Sequence, residues 1–515
     1  MRSTATIVAT GALLLSRPAF AEDRPTQGGL WSFDAADTVE SWEEATSTVR
    51  VHFSTSGPNA TRLEDLDEDG VPDFAQDVAE RTAESIELFV SLGFRPPVPE
   101  SAIEEELGGS PAYDVYLIDF GGAADGRFGV DGCGNAGCAG FYVVENDFLG
   151  YGYATLEEGI TTVTSHESFH GVQAAYNFLP DWVSEGTATW AERQFDPESA
   201  DFVRLCNGLL ADPGRPVYQP PGGPVPSFAY GTALWFDFLS SRHDTGLIVD
   251  FLEALDEDAD APQLRFESLL AARGDDLETA WATFARYNLA TGRRAGVAQS
   301  HPYAGALEGI DADATAEVLA LDARFYPLAA SYFNLHHPGG DAWFVADDGL
   351  PDVAFSLHPV GDFAMDGAVG DAIATWTSPE PQAQRIFEDL PAGGYWVVGA
   401  LSIIADGPAR ANLCIGSDPD DSACPDVPED TETDGTSSGG EDETGADPSD
   451  GGTTSEGGGV SSGTTTDSQT STDTDDAPSV QDDTGGCSCR SETPPSAPFG
   501  LWSGLVALAL FRRRG

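Results

Sequence analysis

The feature that most limits how this chain can fold is a long acidic segment near its C-terminal end. Residues 417–486 contain 20 Asp and Glu, no Arg and almost no large apolar side chain. Such a composition cannot bury enough apolar surface to offset the entropy lost on ordering, and its like charges repel one another. We therefore predict a disordered linker over 417–486 that follows a folded body.

The rest of the chain is acidic as well. The chain has no Lys, and its 24 Arg stand against 86 Asp and Glu. Of the net charge of −62, the linker carries 20 negative charges, which leaves −42 for the remainder. A protein that binds nucleic acid through phosphate contacts needs a basic surface, so this function is excluded. An anionic membrane surface is disfavoured as the main partner for the same reason.

The N-terminus predicts export. Residues 1–21 combine an early Arg, a short apolar stretch and an Ala-Phe-Ala cleavage site, which is typical of a secretory signal peptide. Export makes disulfides permissible. We predict pairing of Cys133 with Cys138 and of Cys414 with Cys424, with Cys206 left as a buried thiol. A zinc site of four cysteines is the alternative, although the spacings do not form two C-x-x-C arms.

Two folded regions lie between the signal peptide and the linker. Residues 22–304 mix strand patterns at 112–120 and 140–147 with helix patterns, and we predict an α+β body of the size of a catalytic domain. The predicted helices cover 73–93, 155–176, 182–194, 231–242 and 277–291. Residues 305–416 have short apolar or alternating segments between Gly, Pro and Asp turns, and we predict a small antiparallel β-sandwich.

The strongest chemical signal is an H-E-x-x-H motif, which reads H-E-S-F-H at 166–170. On a helix, His166 and His170 lie on one face one turn apart. Both imidazoles can then reach one zinc ion, while Glu167 is placed to accept a proton from water. The pattern predicts a zinc hydrolase site.

A third ligand is needed for a catalytic zinc. Glu185 follows His170 by 15 positions, in D-W-V-S-E-G-T-A-T-W-A-E on the next predicted helix. Two histidines and one glutamate form a known catalytic ligand set. Glu192 lies seven residues further on the same helical face and is the alternative third ligand, or a group that orients a ligand histidine.

These motifs resemble those of the gluzincin metallopeptidases, in which H-E-x-x-H is followed by W-x-x-E-G-x-A. The resemblance implies that His166, His170 and Glu185 bind zinc and that Glu167 is the general base. It implies a gluzincin-like metallopeptidase domain over 22–304 and hydrolysis of peptide or protein substrates. The gap between the two motifs is shorter here than in the best-known members.

Two further residues resemble the aminopeptidase branch of that family. G-F-Y-V-V-E-N at 140–146 resembles its G-x-M-E-N strand, which implies that Glu145 holds the substrate amine; the alternative is a plain edge strand that lines the cleft. Tyr230 precedes Gly231 at a predicted helix start, which implies a donor to the developing oxyanion; the alternative is a packing tyrosine. The departure from G-x-M-E-N favours an endopeptidase.

The C-terminal segment 487–515 contains a Cys pair, a short apolar stretch and three Arg. It resembles the MYXO-CTERM sorting tail, and the whole order of motifs resembles a myxobacterial family of surface metalloproteases. The resemblance implies recognition by export and sorting machinery, cleavage of the tail and attachment of the protein to the outer cell surface through Cys487. The alternative is a simple short C-terminal anchor. The apolar stretch is, however, shorter than a typical membrane-spanning helix.

An acidic segment before the first long helix has the spacing of half an EF-hand loop. Asp65, Asp67, Asp69 and Asp73 alternate around a glycine, but Gln76 replaces the closing Glu. We predict a stabilising Ca²⁺ site, with a solvated acidic turn as the alternative.

Taken together, these patterns predict a secreted, surface-attached zinc metallopeptidase. The first alternative is an aminopeptidase that uses Glu145. The second is a non-catalytic adhesin or scaffold with a structural zinc site, but the glutamate beside the two histidines favours chemistry because a structural site does not need it.

Overall fold

The fold was analysed in a computed structural model. It describes residues 21–29, 31–43, 48–103, 107–176, 178–222, 225–317, 319–346, 353–360, 367–377, 384–402 and 409–416. Residues 1–20 of the predicted signal peptide, the predicted linker 417–486 and the predicted sorting tail 487–515 lie outside these ranges, as do Cys424 and Cys487.

The described chain is a mixed α+β structure, as the sequence predicts. The helices are α1 (Asp73–Ser91), α2 (Leu156–Gln173), α3 (Asp181–Phe195), α4 (Ala200–Leu210), α5 (Ser227–Gly231), α6 (Ala233–Arg242), α7 (Gly246–Glu257), α8 (Arg265–Ala271) and α9 (Leu277–Leu289). Short 3-10 turns lie at Glu100–Ile103, Pro262–Leu264, Gly292–Arg294 and Ala304–Ala306. Among the helices of the described ranges, none is both long and apolar enough to cross a membrane.

The body is built on a five-stranded sheet. Its strands are β1 (Val39–Trp42), β2 (Val49–Ser54), β3 (Tyr113–Ile118), β4 (Gly126–Gly134) and β5 (Gly137–Glu145), in the spatial order β1-β2-β3-β5-β4. The strands β2, β3 and β5 run parallel, and β1 and β4 flank them antiparallel.

The position of β5 corrects one prediction. The sequence suggested that 140–146 could be a plain edge strand, but β5 lies inside the sheet between β3 and β4. The reason is a tight hairpin, which folds β4 back along β5 and is closed by a disulfide between Cys133 and Cys138. The edge strand on this side of the sheet is therefore β4.

Helices α1 and α2 pack on one face of this sheet. Val78 of α1 and Val163 of α2 share a core with Val115 and Val144 of the strands. The N-terminus of α2 is capped by Thr155, whose hydroxyl accepts the N–H of Glu158 at 3.1 Å.

A glycine sets the approach of α2 to the strands. A Cβ on Gly171 would overlap the hydroxyl of Tyr113 on β3, so only glycine permits this contact.

The other face of the sheet is covered by the residues that follow the predicted signal peptide. Arg24 is fully buried and pairs with Glu100, Asp114 and Asp131. Such a charge is tolerated inside a protein only because its partners surround it, and removal of one partner would be costly. The segment from residue 22 is thus an integral part of the body.

The second region is a two-sheet β-sandwich. Its strands are β6 (Ala314–Ala316), β7 (Leu319–Phe325), β8 (Ala329–His337), β9 (Gly340–Ala346), β10 (Val353–Pro359), β11 (Ala374–Thr377), β12 (Gln384–Leu390), β13 (Gly393–Leu401) and β14 (Ala409–Gly416). One sheet has the order β11-β10-β13-β8-β6 and the other β12-β9-β14-β7. All pairs are antiparallel except β6 with β8.

The sandwich packs directly on the helices of the body. Tyr332 and Trp396 belong to the same buried core as Trp281 of α9, and the Trp281 indole N–H donates to the carbonyl of Ala329 at 3.0 Å. The apolar core of the helices therefore extends to one face of the sandwich.

Candidate metal centre

Helix α2 brings the two motif histidines together. His166 and His170 lie one turn apart on its buried face, with ring centroids 4.8 Å apart and 0% and 6% of their surfaces exposed. The helix predicted over 155–176 is thereby confirmed. The i, i+4 spacing places both imidazoles on the same side of the helix, as binding of one metal ion by both requires.

Helix α3 supplies Glu185 to the same point. Its Oε2 lies 3.3 Å from His166 Nε2 and 3.6 Å from His170 Nε2. These three side chains form a group whose ligand atoms all lie within 4.8 Å of one another. Two ligands about 2.05 Å from a tetrahedral zinc would lie about 3.3 Å apart, so the observed separations fit a zinc ion.

The electrostatics of Glu185 agree with a ligand role. Burial acts to raise the pKa of this carboxyl, but the charges of His170 and His166 and their hydrogen bonds outweigh it and lower the pKa. A ligand carboxylate must be deprotonated to bind a metal, and a lowered pKa favours that form.

Glu192 contacts the opposite nitrogen of the first histidine. Its Oε1 lies 2.7 Å from His166 Nδ1, and its side chain is fully buried. An Nδ1–H that donates to a carboxylate leaves the lone pair on Nε2, which is the nitrogen that faces Glu185. This geometry matches the orienting role and not the role of third ligand.

The second histidine is oriented by a set of residues that the sequence analysis did not identify. His170 Nδ1 lies 2.8 Å from Oε1 of Gln173, which is one turn further along α2. The Gln173 amide in turn donates to the Ser184 carbonyl and to the Thr187 hydroxyl, both at 2.7 Å. In the sequence, Gln173 is recognisable only by its position three residues after His170. This is a weak signal, because glutamine is common on helices.

Glu167 lies against the edge strand β4. Its side chain is fully buried, and its Oε1 comes so close to the backbone of Gly126 that a Cβ there would sit 2.6 Å away. Burial raises the pKa of Glu167 to about 7.

Tyr230 also reaches the centre. It lies in α5, 3% exposed, and its ring centroid is 6.0 Å from that of His166. Its ring also belongs to the core that α1 and α2 form with the sheet. The structure thus places Tyr230 beside His166.

Glu145 is occupied by contacts away from the histidines. It ends β5, is 2% exposed, and its Oε2 accepts the N–H of Phe120 at 2.9 Å and the hydroxyl of Tyr151 at 2.8 Å. Burial raises its pKa to about 7. These bonds fix the loop that follows β3, and in the described part of the chain no recorded contact joins Glu145 to the ligand group.

The acidic segment brings three of its four predicted ligands together. Asp65, Asp67 and Asp73 have carboxylate oxygens within 4.8 Å of one another. The Asp69 carboxylate instead accepts the N–H of Val71 at 2.9 Å and the amide of Gln76 at 2.7 Å. The segment is therefore ordered as a loop whose side chains converge.

Of the predicted disulfides, the one between Cys133 and Cys138 is present, and it joins directly paired positions of β4 and β5. Cys414 is also disulfide-bonded, while its predicted partner Cys424 is outside the described residues. Cys206 is a buried free thiol, as predicted.

Comparison with known proteins adds little. No protein-family model matches the sequence, and no curated protein matches it. One similar solved structure is PliG of Aeromonas hydrophila, a periplasmic inhibitor of g-type lysozyme, with 14% identity over 23% of this chain and 93% of that chain and a TM-score of 0.15. A likeness at this level carries no argument about function.

Proposed function

We propose that this protein is a zinc-dependent metallopeptidase with a gluzincin-like catalytic domain, and that it cleaves internal peptide bonds. The observation that carries the proposal is the convergence of Glu185 Oε2 on the Nε2 atoms of His166 and His170. The buried Glu167 lies beside this group, and each histidine has its own hydrogen-bond partner, Glu192 for His166 and Gln173 for His170. A purely structural site would not need the glutamate beside the ligands.

The residues of this chain divide the chemistry among them. His166, His170 and Glu185 would hold a zinc ion, and such an ion would supply Lewis acidity toward a carbonyl and toward water. Glu167 takes a proton from the attacking water and passes it to the leaving amine. The Tyr230 phenol donates a hydrogen bond to the oxyanion that develops as the carbonyl is attacked.

The edge strand β4 is suited to bind an extended substrate. On its outer side the carbonyl of Val130 accepts the N–H of Glu22 at 2.8 Å. In a strand, alternate residues direct their peptide groups to the same side. The backbone N–H and C=O groups of Phe128 and Gly126 therefore also point to the outer side of β4. Gly126 lies against Glu167, and the Phe128 ring centroid is 6.5 Å from that of His170. A peptide that pairs with this edge would pass beside the ligand group.

The aminopeptidase alternative is less well supported. It needs the Glu145 carboxylate to hold a substrate amine, whereas that carboxylate accepts hydrogen bonds from Phe120 and Tyr151. Among the described residues, no contact specifically favours the adhesin alternative.

The setting of the enzyme is also part of the proposal and rests on sequence alone. We propose export through the signal peptide 1–21 and attachment to the outer cell surface through the tail 487–515, with Cys487 as the attachment residue. The substrate would then be an extracellular peptide or protein.

A digest of a peptide library tests the activity. The purified full-length protein is stripped with a chelator, and half is restored with zinc before both are incubated with the library and analysed by mass spectrometry. We expect cleavage only after zinc is restored, at internal bonds. Removal of single N-terminal residues would support the aminopeptidase instead. No cleavage by folded, zinc-loaded protein would contradict the proposal.

A further inference from the structure

Asp125 is a buried acidic residue beside the proposed site, and no role has been assigned to it so far. It is 2% exposed and immediately precedes β4. Its Oδ2 accepts the hydroxyl of Tyr153 at 2.6 Å, whereas its Oδ1 is buried and has no hydrogen-bond partner among the described residues. None of the ion pairs in this part of the chain includes Asp125. Buried carboxylate oxygens of this kind are rare, because an unmade hydrogen bond to a charged group is costly.

The backbone fixes Asp125 next to the general base. Its carbonyl accepts the N–H of Glu145 at 2.9 Å, which holds the start of β4 against the end of β5. The next residue is Gly126, where a Cβ would lie 2.6 Å from Glu167 Oε1. The charge of Asp125 is also one of those that act on Glu167. Asp125 therefore lies at the end of the edge strand that is closest to the proposed chemistry.

The position of Asp125 matches the path proposed for the substrate. A peptide paired along β4 passes Phe128 and Gly126 and reaches Asp125 next. At that point the Asp125 carboxylate has a buried oxygen without a donor, whereas the Glu145 carboxylate already accepts two hydrogen bonds. A cation with N–H donors would both donate a hydrogen bond to Oδ1 and balance the negative charge of the carboxylate.

We propose that Asp125 is a specificity-determining residue that binds a cationic group of the substrate through Oδ1. The group is an ammonium or a guanidinium, and it comes either from a Lys or Arg side chain near the cleaved bond or from a free N-terminus. This inference rests on the proposed peptidase function. It makes Asp125, and not Glu145, the acidic residue that selects the substrate.

The test compares matched peptides that contain a bond cleaved by the zinc-loaded full-length protein. The neutral series is N-acetylated and carries norleucine at each position around the bond in turn. The second series is the same except that Lys or Arg replaces the norleucine. The third keeps the norleucine but has a free N-terminus. We expect kcat/KM to be about tenfold or more higher for one cationic series than for the neutral one, as for a charged hydrogen bond. The series that gains identifies the source of the cation.

The variant Asp125→Asn should reduce that preference to less than about threefold. Asp119→Asn is the control, because it removes the same charge from an exposed position in the same loop and should keep the preference. Equal cleavage of all series by the wild type, or a preference that survives in Asp125→Asn, would overturn the inference and leave the peptidase function standing. No cleavage of any peptide would remove both.

A second measurement does not depend on the folding of Asp125→Asn. A crystal structure of Glu167→Gln, which blocks turnover, is determined with the preferred peptide bound. We expect a nitrogen of the cationic group within hydrogen-bonding distance of Asp125 Oδ1. A cation bound elsewhere would overturn the inference.

Discussion

His166 Nδ1 and Glu192 Oε1 lie 2.7 Å apart, in a contact that is completely buried. The contact joins α2 to α3 and fixes which nitrogen of the histidine faces Glu185. Burial raises the pKa of Glu192 to about 8, an effect that the hydrogen bond to His166 partly offsets. Among the described residues, His166 is the hydrogen-bond partner of this buried carboxyl, whose Oε2 has none.

Substitution Glu192→Gln should weaken zinc binding without preventing it. The amide keeps the shape but is a poorer acceptor for the Nδ1–H, so we expect zinc affinity to fall by about 10- to 100-fold. Competition with a chromophoric chelator measures this, with Glu157→Gln as an exposed control on α2. An unchanged affinity in Glu192→Gln would show that the contact does not orient the ligand.

Substitution Gly126→Ala should reduce catalysis more than metal binding. The added methyl would sit 2.6 Å from both Glu167 Oε1 and Val163 Cγ1, so the base must move. Displacement of a catalytic group by about 1 Å can cost about 100-fold in rate. We expect kcat to fall by about that factor at unchanged zinc content.

The matched control for this variant is Gly152→Ala, where a Cβ meets no atom within 4 Å and the rate should not change. Wild-type kcat in Gly126→Ala would contradict the placement of Glu167.

Substitution Glu145→Gln should change how stability depends on pH. Burial raises the folded pKa of Glu145 from 4.5 to about 7, so the folded protein holds a proton there that the unfolded chain releases. The stability present below pH 4.5 is therefore lost as the pH rises through 7. Urea unfolding at pH 5 and pH 8 should show that the variant loses less stability than wild type, by at most about 3 kcal/mol.

A parallel pH dependence in the two proteins would show that Glu145 does not titrate as its burial requires. Retained cleavage of peptides with free N-termini by Glu145→Gln would further separate this residue from amine binding.

Calcium should stabilise the body through the acidic loop. The carboxylates of Asp65, Asp67 and Asp73 already converge, so bound Ca²⁺ would relieve their repulsion. We expect millimolar Ca²⁺ to raise Tm by a few degrees in thermal unfolding, and Asp67→Asn to reduce that shift. Identical melting with Ca²⁺ and with a calcium chelator would identify the loop as a solvated acidic turn.

The sequence was most informative where local spacing determines geometry. The i, i+4 pair of His166 and His170 predicts both the helix and the shared face, and the structure contains both. The helix predicted over 231–242 instead begins at Ala233, after the separate turn α5, because the chain turns at Thr232, whose hydroxyl bonds the carbonyls of Trp182 and Ala229.

Features that depend on pairing over long distances could not be read from the sequence. The strand β4 is rich in Gly and has no apolar alternation, so the sequence does not predict its pairing with β5 and favours 140–146 as an edge strand. The choice between Glu185 and Glu192 depends on how α3 is rotated against α2. The sequence analysis also does not predict helices α4, α7 and α8. It does not identify Asp125, because what distinguishes this residue is a buried oxygen without a hydrogen-bond partner.

The central claim is that Glu167 acts as a base beside a zinc held by His166, His170 and Glu185. The most direct measurement compares wild type with Glu167→Gln at equal zinc content, on the peptides that the wild type cleaves. We expect the variant to bind zinc and lose activity by about 100- to 10,000-fold, which is the usual contribution of a general base. Activity within a few-fold of wild type in zinc-loaded Glu167→Gln would contradict the account.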